Sequence, residues 1–183
     1  MAARRSHVAL LRAINVGGRN GLGMKDLAAL CEAAGCRDVV TYIQSGNVAF
    51  SATPAVARKV PAALARAIHA HAGIDVPVIV RDAAALAAVA RENPFLRGAR
   101  AADPAELHVG FLADAPEAAR VAALDARRSP PDEFVVRGRE VFFRFPNGVG
   151  KSKLTVTYFD AKLATTITLR NWRTVAALLE LLK

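Results

Sequence analysis

The chain has 183 residues, 53% of them hydrophobic, and carries a formal charge of +9. That length suits one domain or two small ones. No apolar run approaches the roughly 18 residues of a membrane span, so no membrane partner is expected. The start runs straight into a strand pattern rather than a signal-peptide core, and a cytoplasmic protein is expected.

In chain order, residues 7–16 form a mostly apolar run suited to a buried central strand, and a glycine-rich loop over 17–23 follows. Met24, Leu27, Ala28, Leu30 and Cys31 recur at helical spacing and stop at Gly35. Residues 39–43 and 48–50 read as a hairpin turning across 44–47. Pro54 opens a second helix to about His71, with Pro61 inside it and a break expected in its first turns. A fourth strand over 76–81 leads to Asp82, which caps a third helix ending before Asn93 and Pro94.

A basic, alanine-rich connection over 97–105 separates this half, residues 1–96, from a second, 106–183. There the order begins again: strand 107–112, helix 116–127, a hairpin of 134–136 with 141–145, helix 151–163, strand 165–169, and a closing helix 172–182 capped by Asn171. The residues echo the order, since His7-Val-Ala-Leu-Leu11 resembles His108-Val-Gly-Phe-Leu112, and Val78-Ile-Val-Arg-Asp82 resembles Ile167-Thr-Leu-Arg-Asn171. Each half spells βαββαβ plus one extra helix, so the expected fold is α+β, two tandem ferredoxin-like halves with mainly antiparallel sheets arising by duplication.

Five runs together carry a further resemblance: residues 10–18 (LLRAINVGG), 41–48 (TYIQSGNV), 93–95 (NPF), 150–155 (GKSKLT) and 170–172 (RNW). This ordered set resembles the bacterial family known as domain of unknown function 1697. The resemblance implies a compact α+β protein and supplies no activity. Two positions depart from the family pattern: alanine at Ala13, where the family reads Arg-Gly-Ile-Asn, and lysine at Lys151, where it reads Gly-Arg-Ser-Lys. Lysine keeps the charge but loses the two-pronged geometry of a guanidinium.

Charge is uneven along the chain: residues 1–25 carry +5, residues 134–173 carry +6, and the remainder sums to −2. Two separated basic segments would draw phosphate or another acidic partner if they met in space. Within the second, Gly148 and Gly150 are expected to open the helix containing Ser152, a helix N-terminus flanked by Lys151 and Lys153 that would suit an anion. A P-loop is disfavoured because Phe145 stands where its first glycine belongs, and the preceding strand is hairpin-paired. Within the first, Gly17 and Gly18 could present amides beside Arg12, Asn15 and Lys25, but the context does not fit a dinucleotide fold. An ordinary long loop explains the first segment equally well, and a glycine turn with solvated lysines is the favoured reading of the second.

Tyr42 and Gln44 would share a strand face by alternation and offer a polar surface, whereas Ser45 and Asn47 suit the turn itself. Arg170 and Trp172 could form a platform for a phosphate and a base, with Asn171 as N-cap; a packing role for Trp172 is the competing reading. A standard RNA-recognition motif is disfavoured because residues 137–141 place arginine and valine where its aromatics belong. Cys31 and Cys36 match neither a redox pair nor a zinc site, no two histidines make a credible metal pair, and no cofactor is expected. No catalytic signature is present.

The leading expectation is a binding protein that takes an anionic ligand, a nucleotide or nucleic acid, in a basic cleft between the halves. An interaction module, with a homo-oligomer possible but not indicated, and an enzyme acting on a phosphorylated small molecule stay open.

Overall fold

The computed structural model describes residues 5–15, 21–97 and 102–183. These residues form two four-stranded antiparallel sheets and six α-helices. The chain divides into two compact units, Met1–Ala87 with Ala177–Lys183, and Ala88–Ala176.

In the first unit β1 (His7–Leu11), β2 (Arg37–Tyr42), β3 (Asn47–Ser51) and β4 (Val78–Asp82) are ordered β2-β3-β1-β4. One sheet face carries Ala9, Leu11, Val48, Phe50 and Val78, packed beneath Leu27 and Cys31 of α1 (Met24–Ala33) and Val60, Leu64 and Ile68 of α2 (Pro54–Ala72). The opposite face, with Val8, Leu10, Ala49, Ile79 and Arg81, is buried as well. Burial on both faces explains why β1 is an unbroken apolar run rather than an alternating one.

Contrary to the expected break, α2 is continuous through Pro61. Thr53 caps its start by accepting the Val56 N–H, and Gly73 in left-handed geometry stops it. Burial pushes the Cys31 thiol up to about 12 and Cys36 to about 11. Both are core thiols with little thiolate character.

The second unit repeats the arrangement with β5 (Leu107–Leu112), β6 (Glu133–Arg137), β7 (Glu140–Arg144) and β8 (Ile167–Asn171), ordered β6-β7-β5-β8. Its core joins Leu112, Val141, Phe143 and Ile167 to Tyr158, Phe159 and Leu163 of α5 (Val156–Leu163). Phe159 meets Phe143 and Phe134 edge-on at centroid distances of 5.0 and 5.3 Å. Two expected helices are shorter in the structure. Residues 116–127 contribute only α4 (Ala118–Ala122), because the alanine-rich stretch buries almost no apolar face. The helix expected from residue 151 begins at Val156, where Thr155 is the N-cap.

The remaining helices start from the same device. Asp82 accepts the Ala85 N–H at the head of α3 (Ala83–Glu92), and Asn171 accepts the Thr174 N–H at the head of α6 (Trp172–Leu181), at 2.7 and 2.8 Å. Pairing of β1 with β4 sets His7 opposite Asp82 and Val8 opposite Arg81; pairing of β5 with β8 sets His108 opposite Asn171 and Val109 opposite Arg170. No helix among the described residues is long and apolar enough to cross a membrane.

Gly110 lies in the middle of β5, where an added Cβ would press on Ile167 and come within 3.0 Å of Phe143. The variant Gly110→Ala is expected to overpack this core and cost about 1–3 kcal/mol, read as a lowered urea midpoint.

Candidate functional site

The end of β1 and the tip of the β2–β3 hairpin are locked together. Leu11 donates its N–H to the Gly46 carbonyl at 2.8 Å. Gly46 is left-handed at φ 71°, and a Cβ there would stand 2.7 Å from the Leu11 Cβ and 2.9 Å from Ile14 Cγ1. Only glycine satisfies both the backbone and the close approach.

Asn15 extends the lock. Its amide nitrogen donates to the carbonyls of Leu22 at 2.9 Å and Gln44 at 3.0 Å, while its side-chain oxygen accepts the Leu22 N–H at 2.8 Å. One side chain thus closes the loop between β1 and α1 and fastens it to the hairpin tip. Three non-glycine residues here are left-handed: Ala13 at φ 55°, Asn15 at 54° and Ile43 at 48°. Asparagine tolerates this conformation, whereas a β-branched side chain resists it. Ile43 is nonetheless 52% exposed. Its turn also ends β2, so Gln44 leaves the strand and does not share a face with Tyr42, contrary to the alternation expected from sequence.

A cavity of about 520 Å³ opens here, lined by Asn15, Gly21, Leu22, Gly23, Met24, Lys25 and Gln44. Three of the sequence-predicted residues, Asn15, Lys25 and Gln44, are therefore brought together. Gly23 is the N-cap of α1 and makes no side-chain cap bond, and the Asp26 carboxylate stands close against it, with Oδ2 2.7 Å from where a Cβ on Gly23 would lie. Asp26 adds one carboxylate to this first turn, and its Oδ2 stands 3.8 Å from His71 Nε2. The sequence marks Gly21–Met24 only as part of a long loop and a helix start; their place in a cavity wall has no marker beyond the glycines themselves.

The other predicted residues of the first unit serve its backbone. Asn47, fully buried, donates to the Tyr42 carbonyl and to Ser45 Oγ at 2.9 Å, which builds the turn. Arg12 is half-buried, and its N–H bonds the Pro77 carbonyl. Gly17 and Gly18 lie outside the described residues.

In the second unit the predicted helix N-terminus is absent where it was expected. Gly150 and Lys151 belong to a single 3-10 turn, and Ser152 that follows it is extended. The amides here are consumed internally: Ser152 N–H bonds Val149, Lys153 N–H bonds Ser129 Oγ at 3.0 Å, and Leu154 N–H bonds Ser152 Oγ at 3.0 Å. A phosphate cradle of the P-loop kind has no open donors at these positions. Arg170 is only 8% exposed, and donates to Thr168 Oγ1 and the Leu169 carbonyl. Burial lowers its pKa to about 10, which leaves it charged at neutral pH. With Arg170 in the sheet and Trp172 half-buried, these two do not form an open stacking platform. Asn171 is the helix cap described above.

Two substitutions test the lock. Asn15→Ala removes three hydrogen bonds and an αL-tolerant residue, and is expected to cost about 2–3 kcal/mol at roughly 1 kcal/mol per bond, measured by chemical denaturation. Ala13→Gly relieves a left-handed strain of about 1–2 kcal/mol against a glycine entropy cost of about 0.5–1 kcal/mol. A small rise in thermal midpoint is the expected result.

A search of curated proteins found no match to this chain. Among solved structures, the chain is similar to the conserved bacterial protein SP0830 from Streptococcus pneumoniae, with a TM-score of 0.72 and 21% identity, covering 99% of this chain and 100% of that one. The likeness at this identity is one of fold. The model of the family described as "Protein of unknown function (DUF1697)" matches residues 5–142, which include the β1 end, the hairpin tip and the Asn93-Pro-Phe95 run. The chain belongs to this family of proteins of unknown function, DUF1697.

Proposed function

We propose that the protein binds a small anionic ligand, of nucleotide or phosphate-monoester type, in the cavity of the first unit. The observation that carries this reading is the convergence of the α1 N-terminus at Gly23, Lys25 and the carboxamide-bearing residues Asn15 and Gln44 on one cavity of about 520 Å³, with Asp26 the one carboxylate of that first turn. A volume of this size is in the usual range for small-molecule sites. Helix N-terminal amides favour anions through their unpaired donors and the macrodipole. Asn15 holds two walls of the cavity in place, so the polar groups are arranged before a ligand arrives.

We further infer that residues 1–96 and 106–183 are two ferredoxin-like halves produced by duplication. The support is the matching strand orders β2-β3-β1-β4 and β6-β7-β5-β8, the residue-for-residue correspondence of the β1–β4 and β5–β8 registers, and the equivalent caps Asp82 and Asn171. A cytoplasmic location is the companion reading, supported by the two buried, unbridged thiols Cys31 and Cys36.

Isothermal titration of the full chain with inorganic phosphate, AMP and ATP at low salt tests the ligand reading. Saturable binding is expected, weakened about tenfold by Lys25→Ala, a loss of the size that a charge-assisted contact supplies. Absence of binding to every member of this set would overturn it.

A further inference from the structure

We propose that the second unit carries a separate surface for the phosphodiester backbone of nucleic acid, formed by Arg127, Arg128, Lys151 and Lys153. It is independent of the first-unit cavity and goes beyond the small-ligand reading. All four side chains are exposed, and two hydrogen bonds join the segments that bear them. Arg128 Nε donates to the Lys153 carbonyl, and Lys153 N–H donates to Ser129 Oγ, both at 3.0 Å. Ser152 between the lysines is extended, with φ −80° and ψ 144°, and the lysines on either side of it are exposed while Ser152 is half-buried. Residues separated by more than twenty positions thereby make one patch.

The same unit neutralises other arginines but not these. Arg144 is clamped by Glu106 and Glu133 at 2.8 and 2.9 Å, and Arg120 stands 3.7 Å from Glu117. None of Arg127, Arg128, Lys151 and Lys153 pairs with a carboxylate among the described residues. The nearby acids are occupied otherwise: Asp125 Oδ1 accepts the Arg127 N–H, and Asp132 Oδ2 accepts the Ser129 hydroxyl at 2.7 Å.

Arg128 is also ordered in advance. Its guanidinium lies 4.2 Å over the Tyr158 ring, with Nε bound to the Lys153 carbonyl. The terminal nitrogens of this fork suit a phosphate oxygen pair, and little rotamer freedom is left to lose on binding. A single small anion would engage one or two of the four charges. A polymer with regularly repeated phosphates engages all of them.

Tyr158 itself is buried and its ring is covered by Arg128. The patch therefore offers charge without a stacking platform, which means contact with the backbone and no readout of base sequence.

Fluorescence anisotropy of the full chain with a labelled 30-mer, as single strand and as duplex, tests this across 50 to 200 mM salt. Binding is expected with a log–log salt slope of about −3 to −4, from four phosphate contacts. The double variant Lys151→Ala/Lys153→Ala should reduce the slope by about 2 and weaken binding at least tenfold. Lys25→Ala should leave it unchanged, which separates this surface from the first-unit cavity. The proposal is overturned if neither strand form binds at 50 mM salt, if the folded double variant binds as tightly as the parent, or if heparin binds and nucleic acid does not.

Discussion

At the end of β1 three groups occupy space that only one arrangement of side chains allows. The Leu11 amide bonds the Gly46 carbonyl, and Ile14 and Leu11 fill the volume that any Cβ at residue 46 would take. Asn15 then bridges to Gln44 and Leu22. The chain entering α1 is fixed in direction by that contact, and so are the wall of the cavity and the position of the helix N-terminus. Close approach of backbone to side chain explains why a glycine and an asparagine, rather than larger polar groups, stand at residues 46 and 15.

A different constraint operates on the edge strands β4 and β8. Each places an arginine on a buried sheet face, Arg81 at 2% exposure and Arg170 at 8%. A buried charge is tolerated only when its donors are met, and both guanidinium groups donate to their own strands, Arg81 to the Val80 carbonyl and Arg170 to Thr168 and Leu169. The residue after each arginine caps the next helix. One short segment thus ends a strand, buries a cation and starts a helix, and the second unit uses the same solution as the first.

Much of this was legible in the residues themselves. Caps at Asp82 and Asn171 follow from local hydrogen-bonding chemistry, and strand positions follow from apolar runs. Ala13 departs from the glycine of the resemblance, and its φ of 55° is a conformation that glycine adopts without strain. The failures share a cause. Residues 116–127 have helical composition but almost no face to bury, so only a short helix survives. Gly148 to Leu154 carry a glycine and lysine pattern suggestive of an anion cradle, yet Ser129 and Ser152 take up the amides of Lys153 and Leu154. Gln44 fell off its expected face because Ile43 adopts a conformation that β-branched residues avoid.

The sequence by itself determined the order of elements and the caps at Asp82 and Asn171, since these depend on periodicity and on contacts within a few residues. Tertiary structure alone decided which basic and glycine-rich segments remain available to a ligand. That choice rests on bonds between distant positions: Asn15 to Gln44 leaves the α1 amides beside a cavity, and Ser129 to Lys153 closes one amide while drawing Arg127 and Arg128 up to Lys151 and Lys153. A one-dimensional pattern records the charges and the glycines. Whether a donor is open or spent depends on the partner that folding brings to it.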